Sequence, residues 1–157
     1  MNEGEAINMA NIGIESLWPE DFGVSEITVP VVILRQQAYF LGQKTRNILE
    51  GEVSSHPFWP NKTGAAVFTQ SVDEPNNALL HSFYIKALAL GGYRYKLFSV
   101  THKAIPIYPL NISFEGKTSE IDDEEEFCKA LRNIFGSEAT KKVIQALISQ
   151  SLSEVNN

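Results

Sequence analysis

Apolar and polar residues alternate most regularly in two runs, LLHSFYIKALAL (79–90) and YRYKLFSVTHK (93–103), separated by Gly91-Gly92. Alternation of this kind predicts two strands, and paired glycines supply the positive φ that a tight hairpin turn requires. With the two glycines as the loop, Ala89 faces Arg94, Ala87 faces Lys96, Ile85 faces Phe98, Phe83 faces Val100 and His81 faces His102. The other face then pairs Leu90 with Tyr93, Leu88 with Tyr95, Lys86 with Leu97 and Tyr84 with Ser99. Both faces carry bulky apolar residues, which predicts cover on each side of the sheet.

Before the hairpin the period changes. Val31, Leu34, Ala38, Leu41, Thr45 and Ile48 recur every three or four residues and predict a helix starting near Pro30, a residue tolerated in a first turn. Arg35, Gln36, Gln43, Lys44 and Arg46 form its solvated side, and Gly42 suggests a close approach by the sheet. Glu52–Ser55 and Ala65–Val72 read as short strands around the turn-rich HPFWPNKTG, whose Phe58-Trp59 pair is either a plug at the core edge or an exposed anchor. Residues 73–77 read as a turn.

After the hairpin, IPIYP (105–109) is expected to run extended, because proline biases its predecessor away from helix. Leu110, Ile112 and Phe114 predict a last strand ending at Gly116-Lys117. Asp122 with Glu125 predicts a capped helix start. Phe127, Ala130, Leu131 and Ile134 form its inward stripe, and Gly136 ends it. Ser137 caps a second helix facing inward through Val143, Ile144, Leu147 and Ile148. The fold class is therefore α+β: an antiparallel meander of about five strands, one N-terminal helix and a C-terminal helix pair. The expected division is an acidic arm at 1–29, in which Ile7, Ala10, Ile14 and Leu17 would stripe a short helix weakened by Gly13 and ended at Pro19, a single domain at 30–152 and a short tail at 153–157.

Composition changes this picture little: 157 residues with 43% hydrophobic and 20% charged content suit one globular domain. The apolar runs are too short to cross a bilayer and the acidic start lacks the basic opening of a signal peptide, so a cytoplasmic location is expected. A single cysteine, Cys128, agrees with that and reads as a packing residue. Charge is more informative. Residues 1–29 carry −6 and residues 79–117 carry +4, within a net charge of −6.

His81 and His102 are the sharpest chemical pair, and with His56 they invite a metal. Zinc needs three or four ligands, and no ligand motif accompanies them, so neither metal nor cofactor is expected. The two C-terminal helices read poorly as a DNA-binding pair, because the first opens on consecutive acids. Tyr93, Arg94, Tyr95 and Lys96 send rings and charges to opposite faces, against a groove that stacks bases. No catalytic motif is present, which leans against an enzyme.

The function expected from the sequence is that of a small acidic binding protein, an adaptor, chaperone or immunity-type inhibitor. Its partner would be another protein or a second copy of itself, and neither nucleic acid nor membrane. Trp18, Phe22 and Trp59 are the candidate anchors, with Trp18 and Phe22 docking the acidic arm on the basic hairpin. The alternative is a pocket for a small anionic ligand, with Ala87 and Ala89 as floor and Arg94 and Lys96 as charge donors. An enzyme of another type comes third.

Overall fold

Helix α1 (Pro30–Lys44) begins on a proline at its first position and buries Ile33, Leu34, Ala38 and Gly42. Its end is tied to the following strand by one side chain. The Thr45 hydroxyl donates to the carbonyls of Leu41 and Leu49, at 2.9 and 3.0 Å, and accepts from the Leu49 amide at 3.2 Å. Arg46 and Asn47 take left-handed φ values of 52° and 62°, which reverses the chain within three residues. The computed structural model describes residues 13–58 and 78–156. The expectations for Ile7 and Ala10, Trp59, the strand at 65–72 and the turn at 73–77 lie outside that range.

Strand β1 (Leu49–Phe58) then runs back beneath α1. It is longer than the four residues expected and takes in Gly51, His56 and Pro57. Gly51 permits the contact. A Cβ built there would lie 2.4 Å from the Ala38 Cα, far inside van der Waals contact, so only hydrogen lets helix and strand approach this closely. The sequence suggested Gly42 for this role, where a Cβ would sit a milder 3.3 Å from Asn47 Oδ1.

The remaining strands are β2 (Ala78–Ala87), β3 (Tyr93–Lys103), β4 (Leu110–Phe114) and β5 (Lys117–Ile121), followed by α2 (Glu124–Phe135) and α3 (Glu138–Val155). The sheet is an antiparallel meander in the order β1-β2-β3-β4-β5. This is the α+β architecture expected, with five strands in the described residues. The fifth, β5, is one that the sequence did not suggest. Its residues KTSEI are mostly polar and only Ile121 is buried, so alternation offered no signal, while the left-handed Glu115-Gly116 turn makes the hairpin. Residues 104–109 form a bent loop with two cis peptide bonds, Ile105-Pro106 and Tyr108-Pro109, in place of an extended run.

The three helices pack on one face of the sheet. Phe83 and Phe98 stack across β2 and β3 with centroids 5.2 Å apart, and Phe135 of α2 tilts against both at 5.3 and 5.7 Å. Leu34, Leu49, Ile85, Val100, Leu110 and Phe127 complete the buried layer. On the opposite face stand Glu52, Tyr84, Lys86, Arg94, Lys96, Asn111 and Glu120. The described helices thus cover one face, not both, and the mixed pattern that suggested two covered faces has a local cause.

That cause is the hairpin. Gly91 and Gly92 do take positive φ, 69° and 78°, but Leu88–Leu90 form a short 3-10 turn ahead of them, so the loop is longer than two residues. Ala87 pairs with Tyr93, and Leu97 bulges out of register between the Tyr84–Lys96 and Phe83–Phe98 pairs. One extra residue rotates everything beyond it to the other side. Tyr93 and Tyr95 therefore share the face of Ala87 and Ile85, whereas Arg94 and Lys96 join Tyr84 and Lys86.

Both C-terminal helices are capped much as the sequence suggested. The Asp123 carboxylate, one residue later than expected, accepts from the Glu126 amide at 2.8 Å, and Glu126 in turn accepts from the Asp122 amide at 2.9 Å. Ser137 accepts from the Thr140 amide at 3.2 Å and opens α3, which continues to Val155.

Candidate functional site

Two regions carry the chemistry of the described chain. The first is a hydrogen-bonded line of three side chains at the end of the sheet remote from the hairpin. His81 on β2 stands opposite Val100, and His102 lies diagonally beyond it, two residues along the same face of β3. The sequence placed the two histidines directly opposite each other; the observed register slips by two residues, which preserves the face. Their Nε2 atoms are 2.8 Å apart. On the other side, Ser55 pairs with His81 across β1 and β2 and brings its Oγ to 2.7 Å from His81 Nδ1. His102 Nδ1 lies 2.7 Å from the Lys103 carbonyl oxygen.

For two neutral rings these three contacts have one self-consistent direction. A carbonyl only accepts, so His102 Nδ1–H donates to Lys103 and its Nε2 is left as an acceptor. His81 must then donate through Nε2–H, and its Nδ1 accepts from the Ser55 hydroxyl. Burial holds the His81 pKa at about 4, below its ordinary 6.5, with further lowering from His102, Arg35 and His56. Both rings are buried, at 3% and 7% exposure, while Ser55 is exposed to solvent. No cluster of three or more metal-ligating side chains occurs among the described residues.

The second region is the segment 13–29, which leads into α1. It forms neither helix nor strand, and Gly13 at φ 87° begins it, so the helical stripe expected through Leu17 does not extend here. Local turns shape it: Ser16 Oγ, Asp21 Oδ1 and Ser25 Oγ accept from the amides of Trp18, Gly23 and Ile27 at 3.3, 2.7 and 3.2 Å. Trp18 and Phe22 meet each other at 5.9 Å and are 74% and 75% exposed.

The remaining expected site residues are dispersed. Ala87 is fully buried against the helices, and Ala89 lies in the 3-10 turn. Arg94 and Lys96 are on the other face, so the pocket expected from these four residues does not form. The basic hairpin does meet an acid, but from within the sheet: Glu52 of β1 contacts Arg94 at 3.0 Å and Lys86 at 3.9 Å, and the Arg94 guanidinium lies over the Tyr84 ring at 3.9 Å. Trp18 and Phe22 stay in solvent, so the described part of the arm, 13–29, does not dock there through these rings.

Ser55 escaped the sequence reading altogether. It is 26 residues from His81, and only the β1–β2 register joins them. An apolar cleft of 190 Å³ also lies between α1, the sheet and α3, with Phe40, Lys44, Phe83, Leu97, Phe135 and Ile144 among its walls. No helix of the described chain is long and apolar enough to cross a membrane. No protein-family model matches the sequence, and comparisons with curated proteins and with solved structures return no significant match.

Proposed function

We propose that this is a small acidic binding protein that offers the segment 14–29 to a partner polypeptide. One observation carries the reading. Ile14, Leu17, Trp18, Phe22, Val24 and Ile27 are all between 64% and 95% exposed within a short stretch. Large apolar side chains clustered in water mark interaction sites far better than scattered ones do, and tryptophan is among the residues that dominate binding energy when buried at an interface.

The same stretch holds Glu15, Glu20, Asp21 and Glu26 and no Lys or Arg. Its complement is an apolar groove with a basic rim on another protein, which would bury the two rings while the rim steers the approach. The anionic-ligand alternative loses its support, because Ala87 and Arg94 face opposite ways.

The test replaces Trp18 or Phe22, one at a time, with a photo-crosslinking amino acid in the full chain expressed in its native host. A single discrete adduct at either position, absent at the exposed control Thr118 and lost on Glu20→Lys/Asp21→Lys substitution, is the expected result. An adduct with a second copy of the chain would identify self-association as the mode. A diffuse ladder of adducts equal to that at Thr118 would overturn the proposal.

A further inference from the structure

The Ser55–His81–His102 line has a feature that a purely structural network lacks: it starts in solvent. Two imidazoles are buried in a largely apolar layer, and among the described residues the hydroxyl that feeds them, that of Ser55, is on the surface. A serine hydroxyl is a weak nucleophile until a base within hydrogen-bond reach takes its proton, and that base works best when a third group orients it. All three roles are filled at 2.7, 2.8 and 2.7 Å.

We propose that Ser55 is an activated nucleophile, that His81 is its general base and His102 the positioning residue, and that this end of the sheet carries out acyl transfer from activated esters.

In the first half-reaction Ser55 Oγ bonds to the ester carbonyl carbon while its proton passes to His81 Nδ1 and the carbonyl π pair moves onto oxygen. Collapse restores the carbonyl and breaks the bond to the leaving alkoxide or aryloxide, which takes the proton from Nδ1. In the second half a water adds to the acyl carbon and gives its proton to Nδ1. Ser55 Oγ then departs as the acid forms, and it recovers that proton. In the acyl-enzyme the Ser55–His81 hydrogen bond is absent and Nδ1 is open to accept from the incoming water, while the other two contacts of the relay persist throughout. When His81 carries the extra proton its Nε2–H still points at the His102 lone pair, and His102 still donates to Lys103.

The groups that bear on His81 are Arg35 of α1, His56 of β1 and His102 of β3. Together with burial they make its cation costly, which limits the rate and sets a distinctive pH dependence. The base should stay neutral and competent well below the range in which an ordinary histidine becomes protonated.

The experiment treats the full chain with p-nitrophenyl acetate, follows nitrophenolate release and maps the acetyl group by peptide mass spectrometry. One acetyl group on Ser55, ahead of the exposed Ser113 and the lysines, is expected. Ser55→Ala should lower the burst roughly 100-fold. The rate should stay level from pH 8 down to about 5, and His102→Gln should change that profile as well as the rate. In a Ser55→Cys variant iodoacetamide should alkylate the new thiol well ahead of Cys128. Acetyl groups spread over lysines with an unchanged rate in Ser55→Ala, or a new thiol no faster than Cys128, would overturn the assignment.

Discussion

Replacing Gly51 with alanine adds a single methyl group, yet the structure makes it one of the more disruptive changes available. The added Cβ would fall 2.4 Å from the Ala38 Cα, 2.5 Å from the Ala38 Cβ and 2.9 Å from the Ala38 carbonyl oxygen. Two of those three atoms are backbone, so no rotamer change relieves the clash. Helix α1 must lift from β1 by about 1 Å to restore contact distance, which also loosens Leu34 against the buried layer.

Overpacking of this kind costs about 1–3 kcal/mol, against which the stiffer unfolded chain of alanine returns roughly 0.4–1 kcal/mol. A net loss of about 1–2 kcal/mol is therefore expected. With urea m-values of about 1–3 kcal/mol/M, the unfolding midpoint should fall by roughly 1 M at constant m. Adding Ala38→Gly removes one of the clashing atoms but leaves the Cα and the carbonyl oxygen, so it should recover only part of the loss. An unchanged midpoint in Gly51→Ala, or complete rescue by Ala38→Gly, would refute the close approach and the helix placement built on it.

Other outcomes follow from the same geometry. Gly92→Val, which forces a β-branched residue to φ 78°, should cost about 1–3 kcal/mol in chemical denaturation. Acid should destabilise the fold through His81. Above pH 6.5 neither state protonates it; between 6.5 and about 4 only the unfolded chain does, so stability falls as pH drops through that window, by up to roughly 3 kcal/mol, and this contribution levels off below. Unfolding curves of His81→Gln, if it folds, should lack that slope. Tyr108 has a buried hydroxyl with no hydrogen-bond partner among the described residues, so Tyr108→Phe should leave the melting temperature unchanged or slightly higher. Burial also pushes the Tyr108 pKa up to about 12, so an alkaline ultraviolet titration of the native protein should lose its highest-pH tyrosinate step, well above pH 10, on Tyr108→Phe substitution.

The elements with strong periodicity were legible. The stripe through Leu34 and Ala38 and the caps at Asp123 and Ser137 are short-range signals, and each forms where the pattern pointed or within a residue of it. What failed was anything requiring a count across the hairpin. Leu97 looks like an ordinary strand residue, and only packing of both Leu97 and Phe98 into the core reveals that it is surplus to the register. That surplus residue separated Arg94 and Lys96 from Ala87. The histidine pair survived because its register error was an even number, whereas Ser55 was invisible because a cross-strand partner 26 residues away leaves no mark on local sequence.

The meander order carries a kinetic consequence. Contacts that close short loops form at lower entropic cost than those that close long ones. The β2–β3, β3–β4 and β4–β5 junctions span 88–92, 104–109 and 115–116, while β1–β2 must bridge 59–77. By loop length alone, pairing β1 with β2 carries roughly 1 kcal/mol more closure entropy than pairing β2 with β3. Since α1 packs chiefly on β1, the two are expected to arrive together as the last unit to dock and the first to detach. Native-state hydrogen exchange would then show one cooperative opening shared by α1 and β1, below global unfolding. Each such opening would withdraw Ser55 from His81 while leaving His81 and His102 in place.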